Sequence, residues 1–232
     1  MRISRKINII INWLLNETLP PFIRDSKWLM MPLFWLMFGK RAALFYDFHK
    51  RIYTMTDTEF SALNADIQPA AIARATDLNN ACIVFIQKHI LGKNILEVGC
   101  GKGYLSQLLS HTYQVTGVDI ALPQEVKNQT DFKAQECMAE VLPFADRSFD
   151  TVICTHTLEH VRDIQKALTS LRRVCGKRLI IVVPCERPYF YTFNLHIHFF
   201  PYAFSLLAIT GVRSGQSLQK IGGDWVYIEE NK

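Results

Sequence analysis

Three glycines, two carboxylates and four histidines carry most of the chemistry legible in this chain. Ile95-Leu-Glu-Val-Gly-Cys-Gly-Lys-Gly-Tyr104 reads as a buried strand that breaks into a glycine-rich turn and opens a helix. Gly99, Gly101 and Gly103 would let the backbone bend sharply and bring its N–H groups against a ligand, which a Cβ would obstruct. A second strand, Tyr113-Gln-Val-Thr-Gly-Val-Asp119, ends in a carboxylate about 20 residues further on, the spacing at which a Rossmann-type unit offers an acid to a ribose. Both features fit one nucleotide-like cofactor. A glycine turn alone would equally suit a tight strand-to-helix connection with no ligand. His156, His160, His196 and His198 lie further along the chain, titratable near neutrality and candidates for a general base.

The glycine turn is joined in order by Leu142-Pro-Phe-Ala-Asp-Arg-Ser-Phe-Asp150 and Thr151-Val-Ile-Cys-Thr-His-Thr-Leu-Glu-His-Val161. This set, over roughly residues 75 to 200, resembles the S-adenosylmethionine-dependent methyltransferases of the class I, Rossmann-like type, and more narrowly their small-molecule branch, type 11. The resemblance implies S-adenosylmethionine as cofactor. Glu97 would help hold the cofactor's ammonium, Asp119 would accept both ribose hydroxyls, Ile120 would lie against the adenine, and Gly99, Cys100, Gly101 and Gly103 would form the loop. Thr155 and His156 would close the site near the methionine part. One position departs from the family. The third-strand loop is commonly Asp-Ala-Glu-x-Leu-Pro-Phe, and here it is Met138-Ala-Glu-Val-Leu-Pro-Phe144. Met138 cannot accept from the adenine amino group, which leaves adenine recognition to shape and to the Ala139 N–H.

The implied function is methyl transfer to a small, apolar or lipid-like acceptor, with O-, N- and C-methylation left open. Methylation of RNA or protein and a catalytically silent cofactor-binding subunit are the alternatives. NAD-dependent chemistry is disfavoured, because no further glycine follows GCGKG three residues on and no Tyr-x-x-x-Lys pair occurs. For each histidine taken singly, a structural role is the better expectation. His156-x-x-Glu159-His160 resembles, with one substitution, the Glu-x-x-Glu-His run by which some methyltransferases hold magnesium. No metal is favoured, and His156, Glu159 and His160 are the minority candidate ligands.

These residues require an α/β scaffold, a doubly wound, mostly parallel seven-stranded sheet. Strands are expected near 94–98, 114–118, 131–135, 149–154 and 178–183, and helices near 103–110, 122–129 and 163–175, with a helix over Ala203–Thr210 and a closing strand over Asp224–Glu229. Residues 76–232 would form the cofactor-binding domain, with an acceptor-facing insertion near 186–210 in which alternation puts His196 and His198 on one side. Residues 1–75 would be a helical extension. Ile3, Ile7, Ile10 and Leu14 share a helix face, and Pro20-Pro21 ends that helix. From residue 56 the helical pattern resumes, with Thr56 as its cap and Pro69 as a break. Trp28–Phe38 is apolar, too short to span a bilayer and interrupted by Pro32, so it reads as part of a helix-turn-helix lid or as an interfacial anchor.

The chain has 232 residues, 49% hydrophobic and 12% aromatic, with the apolar excess near the N-terminus and in 189–209. A net charge of +5 without a basic–aromatic track excludes no partner but favours a small molecule over nucleic acid. Six scattered cysteines without metal-finger spacing point to a reducing compartment, and Asn8 and Asn12 interrupt what would otherwise be a leader. The expected location is the cytoplasm, with peripheral membrane contact through residues 1–40.

Overall fold

The computed structural model describes residues 18–71, 75–191, 194–213 and 215–231. The helix expected over Ile3–Leu14 lies outside them. Seven strands form one sheet: β1 (Asn94–Val98), β2 (Gln114–Asp119), β3 (Lys133–Glu136), β4 (Phe149–Thr155), β5 (Cys175–Pro184), β6 (Ser217–Ile221) and β7 (Asp224–Glu230), in the order β3-β2-β1-β4-β5-β7-β6. The first five pair in parallel, while β7 runs antiparallel to β5 and β6 to β7. The chain leaves β1 toward β2 and β3, then returns to β4 on the other side of β1. That reversal opens a crevice at the carboxyl ends of β1 and β4, where ligands of doubly wound sheets sit.

The central strands are buried on both faces. Leu96, Val98, Val152, Cys154, Leu179, Ile181 and Val183 join one core, and their neighbours Ile95, Ile153, Ile180 and Val182 join the other. The period-2 alternation of side chains across a strand produces this division. The helices are α1 (Lys27–Phe38), α2 (Asp57–Ala71), α3 (Asn80–His89), α4 (Tyr104–Ser110), α5 (Gln124–Asn128), α6 (Ile164–Val174) and α7 (Ala203–Thr210), with short helical turns at Pro21–Arg24, Ala42–Tyr46 and Phe48–Arg51. Asn79 caps α3 by accepting from the Cys82 N–H at 2.9 Å, and Asp163 caps α6 by accepting from the Lys166 N–H at 2.9 Å. Ala167, Leu168, Leu171 and Val174 turn the buried face of α6 to the sheet.

A third apolar cluster lies outside the sheet's two layers. Met30, Phe34, Phe45, Phe48, Ile52, Phe60 and Leu63 pack with Tyr191, Leu195 and Ile197 of the segment after β5, and Ile120 and Met138 of the crevice pack against it. Polar ties reinforce this cover: Arg162 pairs with Asp57 and donates to the Met55 carbonyl at 2.7 Å, and Asp25 accepts from the Phe190 N–H at 2.6 Å.

Several local expectations differ from what is observed. Pro32 does not interrupt the apolar stretch, since α1 runs continuously through it. It lies in the sixth position, where the loss of one N–H is absorbed by packing of Met30 and Phe34 on the same helix. Helix α2 likewise continues past Pro69, while Thr56 does close a capping box at its start, Thr56 N–H to Glu59 at 2.8 Å and Glu59 N–H to Thr56 Oγ at 3.2 Å. Strand β6 is absent from the sequence pattern, because Ser-Leu-Gln-Lys-Ile is a polar edge strand with little apolar alternation.

Candidate active site

A cavity of about 460 Å³ occupies the crevice. On one wall, Glu97 ends β1 fully buried and accepts a hydrogen bond from the Ser106 hydroxyl of α4. Burial raises its carboxyl to about 8, only partly opposed by the Ser106 hydrogen bonds, with the nearby Asp119 adding to the rise. Asp119, at the end of β2, accepts the Gly101 N–H at 2.9 Å and the Ala121 N–H at 3.3 Å. Burial also pushes the Asp119 carboxyl upward against these backbone donors.

The loop geometry separates the three glycines. Gly99 has φ +79°, and a Cβ there would lie 1.7 Å from the Thr157 hydroxyl, so neither strand-end turn nor neighbour leaves room for one. Gly101, at φ +51°, faces open space on the cavity wall. Gly103 is not on that wall; its Cα packs against the Phe132 ring where α4 begins. Of the other expected cofactor residues, Cys100, Ile120, Met138, Ala139 and Thr155 all line the cavity. Met138 packs against the helical cover, where a carboxylate would meet apolar side chains. This gives a physical reason for the departure from the family's aspartate.

The opposite wall gathers titratable groups. His156 follows β4 with φ +47°, an unusual backbone for a non-glycine residue. Its Nδ1 lies 3.4 Å from Glu159 and its Nε2 3.5 Å from Asp224 of β7. Burial acts to lower the imidazole's pKa, but these two carboxylates outweigh it and hold the ring on the charged side. His160 Nδ1 donates to the Leu195 carbonyl at 3.3 Å, and burial together with His196 drops its pKa to about 4. His196 Nδ1 donates to Glu186 at 3.0 Å, and Glu186 also accepts from the Tyr189 hydroxyl at 3.0 Å. The structure therefore brings His156, His160 and His196 to the cavity. His198 stays outside the cavity wall, its Nε2 donating to the Val161 carbonyl at 2.9 Å. The expected strand alternation fails because residues 194–200 form a loop, not a strand, with Leu195 at φ +55°.

Ser106, Glu186 and Asp224 escape a reading of the sequence. Ser106 sits one turn into the helix that the glycines open, and that position is the one signal that could have found it. Glu186 and Asp224 carry no motif and reach the site only through the fold.

Residues 96–182 match the family model described as a methyltransferase domain. Over 136 residues the chain is 35% identical to the ubiquinone biosynthesis O-methyltransferase of Idiomarina loihiensis, an overlap of 52% of this chain and 51% of that protein. The chain spans about half the length of the curated relatives it matches. Among solved structures, a protein from Pyrococcus horikoshii aligns at TM-score 0.55 with 15% identity, covering 70% of this chain and 97% of that one. A methyltransferase from Thermotoga maritima, described as a possible histamine N-methyltransferase, aligns at TM-score 0.52 with 18% identity over 66% of this chain and 88% of that one. These structural likenesses establish the fold. The fold is Rossmann-like, and the family match places a methyltransferase domain over residues 96–182. S-adenosylmethionine is the cofactor such a domain implies, and the open face of Gly101, the strand-end Asp119 and the buried Glu97 fit it. No helix among the described residues is long and apolar enough to cross a membrane.

Proposed function

We propose that this protein transfers a methyl group from S-adenosylmethionine to a hydroxyl of a small, mainly apolar acceptor. The observation that carries this reading is one cavity joining the glycine loop and Asp119 to the His160–His196 pair beneath an aromatic cover. When bound, S-adenosylmethionine supplies an electrophilic methyl group on a sulfonium. Asp119 would accept from the ribose hydroxyls, Glu97 would receive the ammonium, and Met138 and Ile120 would flank the adenine. The cover and the loop after β5 exclude water and hold the acceptor in line. Transfer of the methyl group would form an oxygen–methyl bond while the sulfur, as the leaving group, would keep the electrons of the S–C bond. The hydroxyl proton passes to an imidazole nitrogen of His160 or His196, or to water. The O-methyltransferase names of the matched relatives support oxygen as the acceptor atom.

The acceptor's apolar part is supported by an exposed face. On α1, Trp28 is 89% and Trp35 71% exposed, and Phe22 and Leu36 are exposed beside them. Tryptophans displayed in this way suit a membrane interface, so we further propose that the cover rests on a lipid surface and admits a lipid-linked acceptor from it.

The test uses the full chain with methyl-labelled S-adenosylmethionine and a panel of phenols and catechols with and without isoprenoid tails. Label is expected in an O-methyl product, preferentially on the tailed acceptors. Cofactor binding without transfer to any hydroxyl would overturn the reading.

A further inference from the structure

The helical cover contributes one uncharged amide to the cavity wall. Asn64 lies in the interior of α2 with Phe60 one turn before it, and both line the cavity. Asparagine is a poor choice for a helix interior, where its side chain competes for backbone groups. Here the amide is held in one orientation. Asn64 Nδ2 donates to the Phe60 carbonyl at 2.8 Å, and because a carbonyl only accepts, the other terminus of the amide is fixed as oxygen. Among the described residues no donor is bonded to Asn64 Oδ1. A half-buried position of the wall therefore carries an unused acceptor.

Several contacts bring this part of α2 to the loop after β3. Phe60 belongs to the apolar cluster against which Met138 and Ile120 pack. The Arg162 guanidinium lies over the Phe60 ring, 5.0 Å from its centroid, and the Arg162 backbone N–H donates to Glu140 at 3.2 Å. Glu140 in turn belongs to the turn that the Val141 N–H closes on the Met138 carbonyl at 3.1 Å. Residues 138–141 and the start of α2 are thus tied through one arginine, and Asn64 stands one turn along α2 from that tie.

The 6-amino group of adenine offers N–H donors that need an acceptor once they leave water. Met138 has only a weakly accepting thioether, and one Glu140 oxygen is taken by the Arg162 N–H. We propose that Asn64 Oδ1 accepts a hydrogen bond from the 6-amino group of the bound adenosyl cofactor, which makes Asn64 a specificity-determining residue supplied by the cover and not by the sheet. This assignment rests on the reading of S-adenosylmethionine as the cofactor. Recognition of the base is then shared: the sheet side supplies Ile120 and the Ala139 N–H, and α2 supplies the acceptor for the amino group. Seating of the cover and identity of the base are thereby coupled.

The experiment compares, by calorimetry on the full chain, S-adenosylhomocysteine with an analogue in which hydrogen replaces the 6-amino group. The wild-type chain should bind the amino form about fivefold more tightly, the worth of one neutral hydrogen bond. Asn64→Leu and Asn64→Ala, both better helix formers than asparagine, should lose that preference: affinity for the amino form falls and affinity for the analogue stays. A merely structural role for Asn64 would weaken both ligands alike and leave their ratio intact. Equal wild-type affinity for the two ligands, a comparison that no variant's folding can disturb, would overturn the assignment. A preference kept by the folded variants would also overturn it and move the acceptor elsewhere, with Glu140 next to be tested. Failure of the wild-type chain to bind either ligand would instead remove the cofactor reading, and the role of Asn64 with it.

Discussion

Asp119 does two jobs with one carboxylate. It closes the glycine loop through the Gly101 N–H and stands at the cavity wall where a ribose would offer two hydroxyls. Asp119→Ala should weaken S-adenosylmethionine binding at least tenfold in calorimetry, since the loss of a charged acceptor costs on the order of 1.5–3 kcal/mol. Glu97 leads to a pH dependence. Its carboxyl is raised from an ordinary 4.5 to about 8 by burial, so in the free protein it is largely protonated at neutrality. Because the folded value exceeds the unfolded one, this group costs the free protein stability as pH climbs from about 4.5 toward 8. An ammonium placed beside it would restore the ionised form. Cofactor binding near pH 7 should therefore release a proton from Glu97, seen as a buffer-dependent binding enthalpy that Glu97→Gln abolishes.

At the scale of elements, the junction of β1 and α4 is the tightest part of the site. Gly99→Ala adds a methyl 1.7 Å from the Thr157 hydroxyl at φ +79°, whereas Gly101→Ala meets only open space at φ +51°. The second substitution should cost only the left-handed backbone term, about 1–2 kcal/mol. The first should lower the thermal midpoint further, because β1 and the Thr157 turn must separate. Equal midpoints for the two variants would show that the turn relaxes freely. The strand pattern and the cap at Thr56 were legible because short-range hydrogen bonding and period-2 burial determine them. Strand β6 and the loop holding His196 were not. The former pairs through backbone groups with few apolar side chains, and the latter takes its shape from Glu159, whose carbonyl accepts the Ile197 and His198 N–H groups at 2.6 and 3.0 Å.

At the scale of the molecule, the helical cover links the cofactor crevice to an exposed apolar surface. Met138 and Ile120 touch its inner cluster, and Trp28 and Trp35 stand on its outside. If that outer face engages lipid, the full chain should float with anionic liposomes, and the double variant Trp28→Ser, Trp35→Ser should stay at the bottom with its thermal midpoint unchanged. Flotation by the variant equal to that of the wild-type chain would remove α1 from the membrane contact. The two substitutions should be nearly neutral for stability, because both side chains lie mostly in water.

The sequence by itself determined the layout of the wall proposed to hold the cofactor. Glu97, the glycines and Asp119 lie at the ends of neighbouring strands, and a local strand–turn–helix pattern specifies where each of them points. The histidine wall, proposed to face the acceptor, was decided by tertiary structure. His156, Asp224, Glu186 and His196 come from strand ends and loops far apart in the chain, and nothing in their spacing encodes their meeting. Their contacts arise when β7 inserts beside β5 and the loop after β5 folds back over Glu159. Local periodicity carries no information about such long-range pairing, which is why His198 looked equivalent to His196 in sequence and is not equivalent in space.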